Sequence, residues 1–127
     1  MRRVHLAFII LLAGSAPAWA CEAKAHLKYN APVELEGTLK SGQGQHEAQG
    51  AFTYSYLELD EPVCVDGADE FNETTQNPVA RIQIAGEEAS KDLPFGKRVT
   101  VAGTLFAAHT MWHAEDVLID ASEVRQR

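Results

Sequence analysis

The chain has 127 residues, with 18 acidic against 11 basic side chains and a formal charge of −7. That length suits one small domain. A surface this acidic repels phosphate backbones and anionic headgroups, which excludes nucleic acid and an anionic membrane surface as natural partners.

Arg2 and Arg3 precede an apolar run from Val4 to Ala13, then Gly14, Ser15, Pro17 and the small-x-small triplet Ala18-Trp19-Ala20. The run falls short of the ~20 residues that cross a bilayer, and its order is that of a secretory signal peptide. Residues 1–20 are therefore expected to be removed, leaving 21–127 as a single β-barrel-like domain with no membrane insertion after cleavage. Removal takes two arginines and no acid, so the formal charge falls from −7 to −9.

Cys21 follows the triplet directly, which raises lipid modification as an alternative to simple cleavage. Ala18 and the bulky Trp19 stand where such sites usually carry a leucine and a small residue. Cys21 and Cys64 are the two cysteines of the chain. In an exported protein they most simply form one disulfide, with a chain-entropy gain on the order of 4 kcal/mol. A catalytic thiol would need one of them unpaired beside a histidine.

From Ala31, Val33, Leu35, Gly37 and Leu39 alternate with Glu34, Glu36, Thr38 and Lys40, the period of a half-buried strand. SGQGQHEAQG then reads as an exposed connection holding a solvated His46. In AFTYSYLELDEPVCV, Phe52, Tyr54 and Tyr56 share one face while Leu57 and Leu59 share the other. That phase change implies a bulge or a strand covered on both sides, and Pro62 limits the ladder beyond it.

Asp66 to Pro78 is a long polar loop. Its Asp66, Asp69, Glu70 and Glu73 lack the residue order of a calcium loop and read as a solvated acidic stretch. The sequon Asn72-Glu73-Thr74 lies within it. Val79 to Ala85 is a third strand, GEEASKDLPF holds at most two helical turns, Gly96 to Phe106 is a fourth strand, and Asp116 to Val124 is a fifth.

The fold class is all-β. Five short strands must close on one another or leave costly edges. The expected architecture is a small, partly open barrel of the OB type with a short helical or irregular link between strands three and four. V-E-L-E-G-T-L and V-T-V-A-G-T-L echo each other in the first and fourth strands. Their shared glycine suits a strand that bends sharply.

The segment G-K-R-V-T-V-A-G-T-L-F-A-A-H-T-x-x-H-x-x-D-V-L-I, with L-x-L-D-x-P-V-C-V before it, resembles an uncharacterised family of small periplasmic proteins of Gram-negative bacteria, a domain of unknown function. The resemblance implies an exported, periplasmic or secreted soluble domain, supports a disulfide at Cys64, and brings no activity. Family members often carry further histidine where this chain has Met111 and Trp112, which weakens a transferred metal site.

The candidate site is the connection between the last two strands: His109, Thr110, Met111, Trp112 and His113. In an extended segment His109 and His113 would lie about 13 Å apart. In a helical turn they would lie about 6 Å apart and could share zinc or copper, given a third ligand from Glu115, Asp116 or His46. The structural reading is that His109 donates to loop carbonyls and Thr110 bonds locally. Trp112 is either a lid over the barrel mouth or a recognition anchor, and Met111 enlarges its apolar surface.

No nucleophile elbow, H-E-x-x-H helix or phosphate loop appears in the sequence. The expectation is a non-enzymatic binding module for an envelope protein or glycan, one form being an inhibitor or immunity protein for a basic hydrolase. A metal-binding protein using His109 and His113 is the alternative.

Overall fold

The computed structural model describes residues 20–127. The expected signal peptide therefore lies, but for Ala20, outside the described residues. The alternating segments form strands as their pattern dictates: β1 (Ala25–Lys28), β2 (Pro32–His46), β3 (Gly50–Asp66), β4 (Val79–Ala85), β5 (Arg98–Ala107) and β6 (Val117–Gln126). Inward positions supply a core of Leu35, Leu39, Leu57, Leu59, Ile82, Ile84, Val99, Val101, Leu105, Val117 and Ile119. Each such side chain removed from water contributes about 1.5–3 kcal/mol.

The strands β2, β3, β4, β6 and β5 pair in a ring. β2 lies antiparallel to both β3 and β5, β3 antiparallel to β4, β4 parallel to β6, and β5 antiparallel to β6. This is the strand order of the OB type, with Glu87–Ser90 as a single 3-10 turn in the link between the third and fourth barrel strands. The barrel is closed where a partly open one was expected, because β4 pairs with both β3 and β6. The last strand pairs with the third and fourth barrel strands and not with the first.

Two further features depart from what the sequence predicts. SGQGQHEAQG is no connection: β2 runs through His46, and β3 begins at Gly50, in register from Gly37↔Leu59 out to His46↔Gly50. The phase change in β3 falls at Tyr56 and Leu57, where the strand is covered on both faces and in register with both neighbours, and an irregularity against β4 follows between Glu58 and Val63.

The second departure is β1, which runs parallel to β3 outside the barrel at His26↔Cys64 and its neighbours. The disulfide Cys21–Cys64 fastens it there. The bond takes the sulfur that a lipid would occupy on Cys21. Among the described residues, no helix is long and apolar enough to cross a membrane.

Candidate functional site

The outer face of the β2–β3 arm is built on two glycines. Gly42 pairs with Tyr54 and Gly44 with Phe52. A Cβ on either glycine would fall within 3.0 Å of the opposing ring. The rings thus lie flat across the ribbon, over backbone that only glycine leaves bare. Tyr56 continues the row, with the Arg81 guanidinium 3.9 Å from its ring centroid. At the arm's tip, His46 Nδ1 accepts from the amides of Ala48 and Gln49, closing the turn.

The β5–β6 connection folds onto this row. Trp112 stacks on His46 at 4.1 Å between centroids and meets Phe52 edge-on at 5.0 Å. His46 is therefore a stacking partner, against the expectation of a solvated loop histidine.

Gln83 on β4 holds the connection in place. Its Nε2 donates to the Trp112 carbonyl, and its Oε1 accepts from the amides of Ala114 and Glu115. The side chain is buried and satisfied. The pattern of β4 marks Gln83 only as an outward polar residue, so its role could not be read from alternation.

His109 and His113 come together across a tight turn, with ring centroids 4.7 Å apart. His113 Nδ1 accepts from the amides of His109 and Thr110, which fixes the neutral ring's proton on Nε2. His109 Nδ1 faces the Ala107 carbonyl at 3.0 Å and so donates to it. Thr110 Oγ1 accepts from the Trp112 amide.

This geometry works against the zinc or copper expectation. A neutral imidazole ligating through Nε2 carries its proton on Nδ1, and on His113 that atom already receives two amides. Two of the three suggested third ligands are engaged elsewhere: Glu115 accepts from the Tyr54 hydroxyl and pairs with Arg81, and His46 stacks on Trp112; Asp116 lines the neighbouring cleft. Among the described residues, no three His, Cys, Asp or Glu side chains gather as a metal site. That covers Asp66, Asp69, Glu70 and Glu73 as well. Asp69 instead accepts from the amides of Phe71 and Asn72 and from the Asn72 and Asn30 side chains, which hold its carboxyl below the usual range.

Asn72 is 6 % exposed. Its Oδ1 accepts from the Ala107 amide and its Nδ2 donates to Asp69. The sequon nitrogen is thus consumed within the acidic loop, while the amide oxygen ties that loop to the start of the candidate connection.

Burial, and then the hydrogen bond to Glu115, push the Tyr54 phenol above its ordinary value, so it stays a donor. Beyond Arg81 and Glu115, a half-open cleft of about 600 Å³ runs between the acidic loop and the connection, lined in part by Tyr29, Phe71, Asn77 and Asp116.

His113 is held below the ordinary imidazole value, first by burial and then by neighbouring His109. With the folded value below the unfolded one, its support of the turn is present above about pH 6.5 and is lost as pH falls through the folded value. The backbone amide resonances of His109 and Thr110 are expected to titrate with a midpoint below the ordinary imidazole value. In His113→Asn, whose side-chain oxygen can accept without titrating, that step should vanish. Identical profiles in the two proteins would show that the turn does not depend on His113.

No curated protein and no solved structure matches the chain. Over residues 81–125, from Arg81 on β4 through Gln83 and the histidine turn to β6, it is similar to a family described as Domain of unknown function (DUF4431).

Proposed function

We propose that this is an exported, non-enzymatic binding module that contacts an envelope protein or glycan through the ridge formed by Met111, Trp112, His46 and Phe52. One observation carries the reading. Met111 and Trp112 are 51 % and 46 % exposed, while the backbone beneath them is fastened by Gln83 and His113. A large apolar side chain held rigid and exposed loses little freedom on binding, which is the economy of an interface anchor.

The disulfide supports an oxidising compartment such as the periplasm. The acidic composition favours a basic partner, the inhibitor or immunity form of the proposal.

Trp112 is the sole tryptophan after Trp19, so its emission reports the ridge directly. Trp112→Ala is expected to weaken capture of envelope proteins or peptidoglycan fragments at least about thirtyfold. Its thermal midpoint should move by only a few degrees, since the indole rests on surface rings. Unchanged capture would overturn the ridge as contact surface, and a collapse of stability would make Trp112 a core residue.

The alternative of a zinc or copper protein requires His113 to release both amides. It therefore predicts that micromolar metal shifts Trp112 emission and frees the amides of His109 and Thr110 together.

A further inference from the structure

The barrel leaves half of β2 without a neighbour. β5 runs beside Pro32 to Thr38, and Gly96 and Lys97 close that lane by bonding the Leu39 carbonyl and amide. From Lys40 to His46, no strand among the described residues lies on that side. In an antiparallel pair, successive residues direct their backbone groups to opposite edges. Since Leu39 faces the β5 lane, so do Ser41, Gln43 and Gln45. Their amides and carbonyls line a vacant continuation of a lane that the fold itself uses lower down.

Edges of this kind are normally guarded by lysine, proline or a bulge. β1 has Lys24 and Lys28 at its two ends. The arm has no such guard. From Ser41 to Tyr56, Glu47 is the one side chain with a full charge, in a chain of formal charge −7. A highly charged partner gains nothing at this edge, whereas a second arm meets it without the repulsion that the rest of the surface imposes.

We infer that the arm edge Ser41–Gln45 pairs antiparallel with the same edge of a second copy about a two-fold axis at Gln43. Ser41 then opposes Gln45 and Gln43 opposes itself. Each is a pair whose backbone groups face one another and exchange both hydrogen bonds. The same register sets Gly42 opposite Gly44. Because the Tyr54 and Phe52 rings overlie those glycines, Tyr54 of one copy meets Phe52 of the partner subunit across the seam, while the glutamine amides of the other face stack along it. The contact is isologous and closes at two. It joins the two ridges into one longer surface, although it does not depend on what the ridge binds.

The test uses disulfide-bonded protein carrying residues 20–127, within which every described element lies. Sedimentation from about 1 µM to about 500 µM is expected to show a monomer–dimer equilibrium. Amide exchange at Ser41, Gln43 and Gln45 should slow at least tenfold at the upper end.

Gln43→Pro removes an N–H that makes no bond to β3, and Gln43→Lys places a charge on the seam. Both should be monomeric throughout, with the thermal midpoint and Trp112 emission of the parent. A monomer at every concentration, or a dimer that survives both substitutions, would overturn the inference. Protection of the Gln43 amide only when a foreign extended peptide is added would overturn it in favour of heterologous strand addition.

Discussion

Gly103→Ala is expected to lower the thermal midpoint on the order of 15 °C, although alanine is the better strand residue by about 0.5–1 kcal/mol. The gain in propensity is outweighed by space. A Cβ at Gly103 would lie within 3.0 Å of the Asp120 carbonyl, which is backbone and cannot rotate away. β6 crosses there at a bulge: the register slips between Ala102↔Glu123 and Gly103↔Ala121, and Ser122 donates to the Ala102 carbonyl.

Relieving the clash means moving β6 off β5, at a cost of about 3 kcal/mol by the measure of overpacked cores. Gly37 stands in the same relation to the Glu58 carbonyl, so Gly37→Ala should behave alike. Gly42→Ala is the informative comparison, because its obstruction is the Tyr54 ring. It should disturb Tyr54 and the ridge more than the barrel. Differential scanning calorimetry of the three variants decides the matter, and a shift of only a degree or two at Gly103 would mean that the strand crossing is looser than its geometry implies.

The echo of V-E-L-E-G-T-L in V-T-V-A-G-T-L, legible in the order of residues alone, therefore marks two strands that approach a neighbour too closely for a side chain. Period-two alternation marked the first, third and fourth barrel strands for the same reason that it exists: one face of each is buried in a common core. It failed where burial is not on the inner face. Along the arm the repeating Gly42 and Gly44 are a strand signal of the opposite kind, positions left bare for rings supplied by β3. Hydrophobic periodicity has no means of registering them.

β1 was missed because its four residues, Ala25 to Lys28, are mostly exposed. It holds by pairing and a covalent bond rather than by an apolar face. The candidate connection was visible as a cluster of His109, Trp112 and His113, yet its organisers were not. Gln83 lies on the strand paired with β6 but 29 residues before Trp112 in the chain, and Glu115 takes its meaning from Arg81 and Tyr54. Such long-range polar contacts leave no local trace.

Removal of the disulfide should have an effect at least as large. Cys21 and Cys64 are 43 residues apart in sequence, with Cα atoms 6.0 Å apart, and opening a loop of that size forfeits about 4 kcal/mol on the chain-entropy account. Of a total stability of about 5–15 kcal/mol for a small domain, that is a drop in midpoint on the order of 20 °C. The design of the variant matters. Cys64 is fully buried, so a serine there would add the cost of an enclosed hydroxyl, and Cys21→Ala with Cys64→Ala isolates the crosslink better.

Two consequences should separate. Global unfolding moves down because the denatured chain is freed. β1 also frays, since it contributes one half-buried leucine, Leu27, an exposed contact between His26 and the Asp66 carboxylate, and otherwise only ladder bonds to Val63–Asp66. Tyr29 and Asn30 mark where fraying should stop: the Tyr29 ring is buried, its hydroxyl donates to the Glu73 carbonyl, and the Asn30 amide donates to the Leu105 carbonyl. Amide exchange should accordingly rise steeply from residue 22 to residue 28 and recover at Tyr29. Loss of protection running on into β2 would instead show that the crosslink holds the barrel as well as its outer strand.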